Sequence, residues 1–316
     1  MEQNIFDYLV EGLDLNAFYS FIDSKTDIAK NTSKLVFQYT TWSALFNGII
    51  RSNEEDDKKV HIFSTNCQYL NDPKEVETGE QYVDMALNGF FGKSGECDDL
   101  RHRNAMFMTS FSENENSLPM WNMYGKNGNG VSIGFDLELL RSHSGGTLKR
   151  CLYDTPLNRT LFQNTLSKER LSEVDNSGDK FQQYLITLMD FAKKGCYEYE
   201  KEIRLTRQVM EAPEYRLSEN FIVPYVDNVY PKEIIKKIII GPCNDFERST
   251  KSLQGWLHKI GMDHVQVTYS MLPYRNSRFS LTYQVNDICF CLLNLRLTKV
   301  KFVKSSSFSR FVESTR

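Results

Sequence analysis

Short strand-like segments recur along the chain, and helical segments stand between only some of them. Runs of apolar, β-branched and aromatic residues occur at 35–39, 60–64, 105–111, 131–136, 200–208, 220–226, 236–242 and 265–270. Helical spacing of apolar residues appears over 4–23, 42–52, 75–91, 157–195 and 246–260. Because strands and helices do not alternate strictly, the pattern predicts an α+β domain with mostly antiparallel or mixed sheets and flanking helices.

Local signals place several element boundaries. Thr41 stands before a helical pattern and Asn244 or Asp245 before another, as expected of N-cap residues. The sequence NGNG at 127–130 favours positive φ angles and predicts a tight hairpin leading into the strand at 131–136.

The charge of the chain disfavours a general nucleic-acid-binding protein. Among 316 residues, 38 Lys and Arg stand against 41 Asp and Glu, a net charge of −3. Such a chain lacks the positive field that collects a phosphate backbone. Residues 276–316 are the exception, with seven basic and two acidic residues, and we expect this basic tail to contact a partner protein or the acidic body of the chain.

The cysteines and the apolar runs indicate a cytoplasmic protein. Seven cysteines are scattered and odd in number, and the N-terminus is acidic where a secretory signal would be basic. The longest apolar run, 288–293, is far shorter than the roughly 18 residues that cross a bilayer, so we expect no membrane contact.

Three polar segments are candidates for a functional site. Gln38 and Thr40 lie at the end of the first strand, and Ser110 and Ser112 alternate on one face of another, with Tyr124 downstream. On a single strand Glu198, Glu200 and Glu202 would share a face, and clustered carboxylates repel one another unless they share a cation, a proton or a polar ligand. The alternative is a solvated strand whose acids are neutralised by a basic neighbour, namely Lys201, Arg204 or Arg207.

A metal site is not predicted. The five histidines contain no i,i+4 pair, and Cys289 and Cys291 are the only close cysteines, so zinc-site spacing is absent from the sequence.

These pieces together resemble a bacterial family labelled domain of unknown function 2971. The resemblance covers about residues 35–275. It is carried by LVFQYTTWSALFNGII, VHIFSTNCQYLNDPKE, MFMTSFSENENSLPMWNMYGKNGNGVSIGFD, YEYEKEIRL, KKIIIGP and VTYSMLPYR. The order of the pieces is in turn similar to the ADP-ribosyltransferase fold, which implies two packed, mostly antiparallel or mixed sheets and NAD as a substrate.

The resemblance also implies a role for each site residue. Glu202 would be the catalytic carboxylate and Glu200 would face the acceptor. The NAD-binding residues would be Gln38, Thr40, Ser110, Ser112 and Tyr124. The acceptor of ADP-ribose would be a protein or a nucleic acid, and the biological role that of a toxin or an anti-phage effector.

One departure from the family leaves other functions open. Relatives often carry His where this chain has Gln38, which cannot hold a charge, and Asp72 and Glu75 have no role in the scheme. A non-catalytic module that binds a nucleotide or a protein is therefore the first alternative. A metal-dependent nuclease built on the acidic cluster is the second.

The expected domain organisation has three parts. Residues 1–34 form a helical extension, 35–275 form a single α+β domain, and 276–316 form the basic tail.

Overall fold

The computed structural model describes residues 15–28, 34–51, 59–70, 75–91, 105–166, 178–218 and 221–274. The strands, in chain order, are β1 (Leu35–Thr40), β2 (Lys59–Asn66), β3 (Met106–Ser112), β4 (Val131–Asp136), β5 (Thr147–Arg150), β6 (Leu152–Asp154), β7 (Ala192–Lys194), β8 (Glu202–Gln208), β9 (Glu214–Leu217), β10 (Ile222–Pro231), β11 (Ile235–Ile240) and β12 (Gln266–Tyr269). The α-helices are α1 (Asn16–Thr26), α2 (Trp42–Ala44), α3 (Glu75–Phe91), α4 (Leu118–Met123), α5 (Leu137–His143), α6 (Pro156–Leu166), α7 (Gly178–Phe191) and α8 (Phe246–Lys259). A π turn follows α2 at Leu45–Ile49, and 3₁₀ turns occur at Cys67–Tyr69, Gly195–Glu200 and Lys232–Ile234.

Ten of the described strands form one sheet, which confirms a mixed and largely antiparallel α+β architecture. The order is β12-β11-β4-β1-β3-β2-β10-β9, with β8 paired to β3 and β5 paired to β8. Within this sheet β11 and β12 are parallel, and β6 and β7 form a separate parallel pair. The expectation of two packed, mostly antiparallel or mixed sheets is corrected: β3 joins two groups of strands into a single hydrogen-bonded sheet, and the second described sheet is only the parallel pair β6 and β7.

Strand β3 divides the sheet because its two edges are used differently. One edge pairs with β8 along its whole length, from Met106 opposite Gln208 to Ser112 opposite Glu202. The opposite edge is shared, since β1 pairs only at Ser112 and β2 only at Met108 and Phe107. Strands β1 and β2 therefore diverge from the two ends of β3 and leave a gap over its middle.

The main apolar core contains the inward-facing residues of neighbouring strands. Val131, Ile133 and Phe135 alternate along β4 and share this core with Leu253 and Leu257 of α8. All five side chains are buried, which is the arrangement expected when an amphipathic helix covers a sheet.

A second core is built almost entirely from helices. Phe18 of α1 has ring contacts with Phe162 of α6 at 6.0 Å and Phe181 of α7 at 5.7 Å between centroids. Tyr82 of α3 belongs to the same buried cluster. The described part of the predicted N-terminal extension, 15–28, thus packs against the helices of the domain.

The turn at 127–130 joins a helix to a strand, so the prediction of a hairpin at this point is wrong. Lys126, Asn127 and Gly128 do adopt positive φ angles of 50°, 51° and 77°, as the sequence indicates. The turn nevertheless follows α4, and β4 pairs with β1 and β11 rather than with β3. Turn propensity specifies a local reversal of the chain and does not select the strand partners.

Two predicted helix caps are confirmed. Thr41 Oγ1 accepts a hydrogen bond from Ala44 N at 3.1 Å, and Asp245 Oδ1 accepts one from Arg248 N at 3.0 Å. The helix after Thr41 is shorter than expected, because the π turn replaces α-helical hydrogen bonding after Ala44.

Some sequence predictions lie outside the described residues. These are the start of the N-terminal helix, Asp72, and the whole basic tail 276–316. In the described residues, no helix has both the length and the apolar character needed to cross a membrane.

A close backbone approach at Gly130 generates the first prediction. A Cβ at Gly130 would lie 2.1 Å from the carbonyl oxygen of Thr40, so we expect Gly130→Ala to lower the free energy of unfolding by about 1–3 kcal/mol. Gly255, exposed within α8, has nothing within 4 Å of its Cβ position, and Gly255→Ala should raise stability by about 0.5–1 kcal/mol. Urea unfolding of both variants is the measurement, and equal effects would contradict the steric argument.

Candidate functional site

A cavity of about 530 Å³ lies among β1, β2 and β3 and brings the sequence-predicted site residues together. Its volume falls within the range of small-molecule sites. The lining includes all seven predicted residues: Gln38, Thr40, Ser110, Ser112, Tyr124, Glu200 and Glu202. Their assembly depends on the divergence of β1 and β2, because Gln38 and Ser110 lie on strands that pair at one position only.

Glu202 forms the most heavily bonded part of this site. Its Oε1 accepts hydrogen bonds from Ser110 Oγ at 2.6 Å and Arg204 Nε at 2.8 Å. Its Oε2 accepts from Lys193 Nζ at 2.6 Å and Arg204 Nη2 at 3.1 Å. Both carboxylate oxygens therefore receive two charge-assisted or hydroxyl hydrogen bonds each.

Glu200 is bonded less completely. Its Oε1 accepts from Tyr124 Oη at 2.7 Å, and its Oε2 accepts from Lys193 Nζ at 2.7 Å. Lys193 thus bridges the two carboxylates. A carboxylate offers about four lone-pair positions, so Glu200 keeps acceptor capacity that Glu202 has already used.

The two glutamates reach the cavity by a bend in the backbone, so the single-strand prediction for 198–202 is wrong. Glu198 and Glu200 belong to a 3₁₀ turn, Lys201 has a left-handed φ of 43°, and β8 begins at Glu202. The turn aims Glu200 into the site while Glu198 is exposed and does not line the cavity. Periodicity alone cannot reveal a left-handed residue between two strand-like segments.

Ser110 and Ser112 have different partners. The hydroxyl of Ser110 bonds to Glu202, whereas Ser112 Oγ donates to the carbonyl oxygen of Glu200 at 2.5 Å and accepts from Asn114 N at 3.0 Å. Ser112 therefore holds the turn that carries Glu200.

The β1 side of the cavity presents free polar groups. In the described part of the chain, the side chains of Gln38 and Thr40 make no hydrogen bond, and both line the cavity. Tyr39, between them, is fixed: its Oη donates to Asn114 O at 2.8 Å and accepts from Ser117 N at 2.9 Å. The strand is thus anchored at one residue and open to a ligand at its two neighbours.

The sequence analysis missed Lys193 and only partly anticipated Arg204. Both cations are buried, Arg204 with 1% and Lys193 with 6% of its surface exposed. Arg204 is one of the three basic residues that the sequence suggests as neutralising the acidic cluster. Of the other two, Arg207 donates to Asn228 Oδ1 at 2.6 Å, and Lys201 is exposed. Lys193 follows a helix and precedes the turn, and no spacing signal relates it to the carboxylates.

Buried charges shift the pKa values of several groups. Burial would raise the pKa of Glu202, but Arg204 and Lys193 outweigh it and hold that pKa below its usual range. Burial and the Glu200 carboxylate raise the pKa of Tyr124. Behind the site, burial raises the pKa of Asp190 to about 7, against a smaller opposing effect of Arg204.

The cavity brings together the Glu200 and Glu202 carboxylates, the Lys193 ammonium, the Tyr124 phenol and the Ser110 hydroxyl. Within the described ranges, no group of three or more His, Cys, Asp or Glu side chains is arranged to hold a metal ion. The positions beside the carboxylate oxygens are occupied by the Lys193 ammonium and the Arg204 guanidinium.

One segment of the chain matches the model of a known protein family. Residues 120–205 match the model of a family described as "Protein of unknown function (DUF2971)", which confirms the family resemblance noted from the sequence. The matched segment runs from α4 into β8 and contains Tyr124, Glu200 and Glu202. No curated protein and no solved structure matches the chain.

Loss of the bridging ammonium should destabilise the protein. In Lys193→Met the two buried carboxylates lose a shared cation, and we expect the free energy of unfolding to fall by about 3–5 kcal/mol. Lys194→Met is the matched control, because Lys194 is half-buried and no described carboxylate lies within ion-pair distance. Chemical denaturation of both variants is the measurement, and similar losses would show that the bridge is not what holds the carboxylates.

Asp190 should make stability depend on pH. Between its ordinary pKa of 3.8 and about 7, the unfolded chain has lost the Asp190 proton while the folded protein keeps it. Stability therefore falls as pH rises through this window, by at most roughly 1.4 kcal/mol per pH unit. In Asp190→Asn this contribution is absent, so its stability advantage over the wild type should grow from pH 4 to pH 7 and then level off. Parallel urea-unfolding profiles would contradict the assignment.

Proposed function

We propose that this chain is an ADP-ribosyltransferase-like enzyme, which cleaves NAD and transfers ADP-ribose to a protein or nucleic-acid acceptor. The observation that carries the proposal is the hydrogen bond from Ser110 Oγ to Glu202 Oε1 at 2.6 Å, inside a cavity that Gln38, Thr40 and Tyr124 also line. A serine on one strand that orients a carboxylate on the next is the arrangement that the resemblance implies.

The chemistry requires negative charge beside the reacting ribose. The bond between ribose C1′ and nicotinamide N1 breaks, and its electron pair leaves with neutral nicotinamide. The acceptor then bonds to C1′ and releases a proton. Because positive charge develops on the ribose only in the transition state, an ionised carboxylate there lowers the barrier.

Glu202 suits this role because it is ionised at neutral pH. Lys193 and Arg204 hold its pKa low, and Ser110 fixes its orientation. Glu200 keeps free acceptor positions, so it is the carboxylate that receives the proton or hydrogen bond of the acceptor.

A non-catalytic module that binds a nucleotide is the second candidate, and one observation favours it. Every strong acceptor position of Glu202 is already taken by Ser110, Lys193 and Arg204, so a substrate hydroxyl must displace one of these donors. Gln38, which stands where relatives often carry His, also points to this candidate. The nuclease alternative has less support, because Lys193 and Arg204 already neutralise the carboxylates.

We propose that this activity takes place in the cytoplasm. The described cysteines, Cys67, Cys151, Cys196 and Cys243, form no disulfide with one another, as is usual for proteins of the reducing cytoplasm. An NAD-consuming enzyme there fits the role of a toxin or anti-phage effector that the resemblance implies.

Nicotinamide release from NAD tests the proposal. The wild type should release nicotinamide, with cell extract as the source of acceptor, and Glu202→Gln should reduce the rate about 100-fold or more because it removes the charge and keeps the shape. Glu198→Gln is the matched control: Glu198 is exposed outside the cavity, and its variant should keep the wild-type rate.

A second variant keeps the test decisive if Glu202→Gln folds poorly. Ser110→Ala removes one hydrogen bond to Glu202 and leaves both cations in place, so we expect it to fold. Its rate of nicotinamide release should nevertheless be lower than that of the wild type. No release by folded wild type, with or without extract, would reject the enzyme in favour of the binding module.

A further inference from the structure

Arg216 of β9 lines the same cavity as the carboxylates but is not used by the proposed chemistry. Its Nη2 donates to Thr65 Oγ1 of β2 at 2.8 Å. Its guanidinium carbon lies 5.7 Å from the ring centroid of Phe63 and 5.8 Å from that of Tyr225. These contacts hold the guanidinium at the β2 side of the cavity and leave most of its five N–H donors unused.

No described carboxylate pairs with Arg216. Glu214, two residues earlier on β9, accepts a hydrogen bond from Tyr225 Oη at 2.6 Å instead. The contrast with Arg51 is direct, since Arg51 also lies over Phe63, at 5.5 Å, but is paired with Asp227 Oδ2 at 3.0 Å. Arg216 is exposed, so its remaining N–H donors are accessible to an anionic group of a ligand that enters the cavity.

Among the described residues that line the cavity or lie directly behind Glu202, cations exceed carboxylates by one. The charged lining residues are Lys193, Glu200, Glu202 and Arg216, and Arg204 lies directly behind Glu202. Lys193 and Arg204 neutralise the two carboxylates, so Arg216 is the cation that has no carboxylate partner within the described lining. A ligand that fits this cavity would carry an anionic group on the Arg216 side.

The register of the sheet gives the spacing between the two sides. Thr65, which binds Arg216, pairs with Met108 of β3, and Ser110 is two residues further along the same face of that strand. Two residues of a strand span about 7 Å. This separation suits one small ligand with a ribose over the carboxylates and a phosphate group beside the arginine.

We propose that Arg216, together with Thr65 and Ser218, binds the diphosphate group of a nucleotide in this cavity. The identity of the nucleotide as NAD rests on the proposed function, whereas the diphosphate chemistry rests on the arginine itself. Guanidinium donors match phosphate oxygens in pairs, and the hydroxyls of Thr65 and Ser218 line the cavity beside them.

A nucleic-acid backbone is a poorer fit for the same arginine. Binding a polyanion depends on several Lys or Arg side chains along a surface, and the chain as a whole has a net charge of −3. Within the described lining, a single uncompensated cation in a cavity of about 530 Å³ favours a small phosphate ester.

Calorimetric binding to the full chain tests the proposal, with ADP-ribose, inorganic pyrophosphate and adenosine as probes. Arg216→Ala should weaken ADP-ribose and pyrophosphate at least 10-fold and leave any adenosine affinity unchanged. Arg216→Lys should weaken them less, because it keeps the charge and loses the paired donors. Arg248→Ala, on an exposed turn of α8, is the matched control and should bind like the wild type.

The outcomes separate this proposal from the proposed enzyme. ADP-ribose binding that depends on Arg216, without nicotinamide release, supports the diphosphate site and rejects the enzyme. Nicotinamide release by the wild type, together with equal ADP-ribose affinity in Arg216→Ala and Arg248→Ala, supports the enzyme and rejects the diphosphate site. The site is also overturned if the wild type binds none of the phosphate probes, or if a short single-stranded oligonucleotide binds through Arg216 and ADP-ribose does not.

Discussion

Strand β3 pairs with β8 along one whole edge, and this pairing positions almost everything else in the site. It brings Ser110 opposite Arg204 and Ser112 opposite Glu202, so the hydroxyls of one strand face the charged residues of the other. On its second edge β3 holds only the ends of β1 and β2, and their divergence opens the cavity. A sheet that was continuous at this point would fill the gap with backbone hydrogen bonds and leave no room for a ligand.

The cavity contains charged groups that an apolar core could not accommodate singly. In this protein they are paired with groups of opposite charge. Two carboxylates and two cations are buried together, joined by hydrogen bonds of 2.6–3.1 Å. Such a cluster contributes little net stability compared with an apolar core, but removal of one member leaves an uncompensated charge. Buried, charge-paired groups that line a cavity are an arrangement typical of functional sites.

The local sequence pattern predicted which segments form strands and helices better than it predicted which strands pair. Strands β1, β4 and β11 and the caps at Thr41 and Asp245 follow from periodicity and side-chain chemistry, which act within a few residues. The hairpin at 127–130 was wrong because β1 intervenes between β3 and β4, a long-range choice. Lys193 and Arg216 were missed for the same reason: their relation to the site depends on the register of strands far apart in sequence.

The distribution of charge would orient a ligand before any chemistry occurs. The β8 side of the cavity carries carboxylates whose charge is balanced, and the β9 side carries an arginine whose charge is not. In the proposed site, a nucleotide diphosphate held at Arg216 would place its ribose toward Ser110 and Glu202 without needing a charged residue at position 38. In the proposed complex, Gln38 then supplies hydrogen bonds to an uncharged part of the ligand, and the positive charge is supplied by Arg216 of β9.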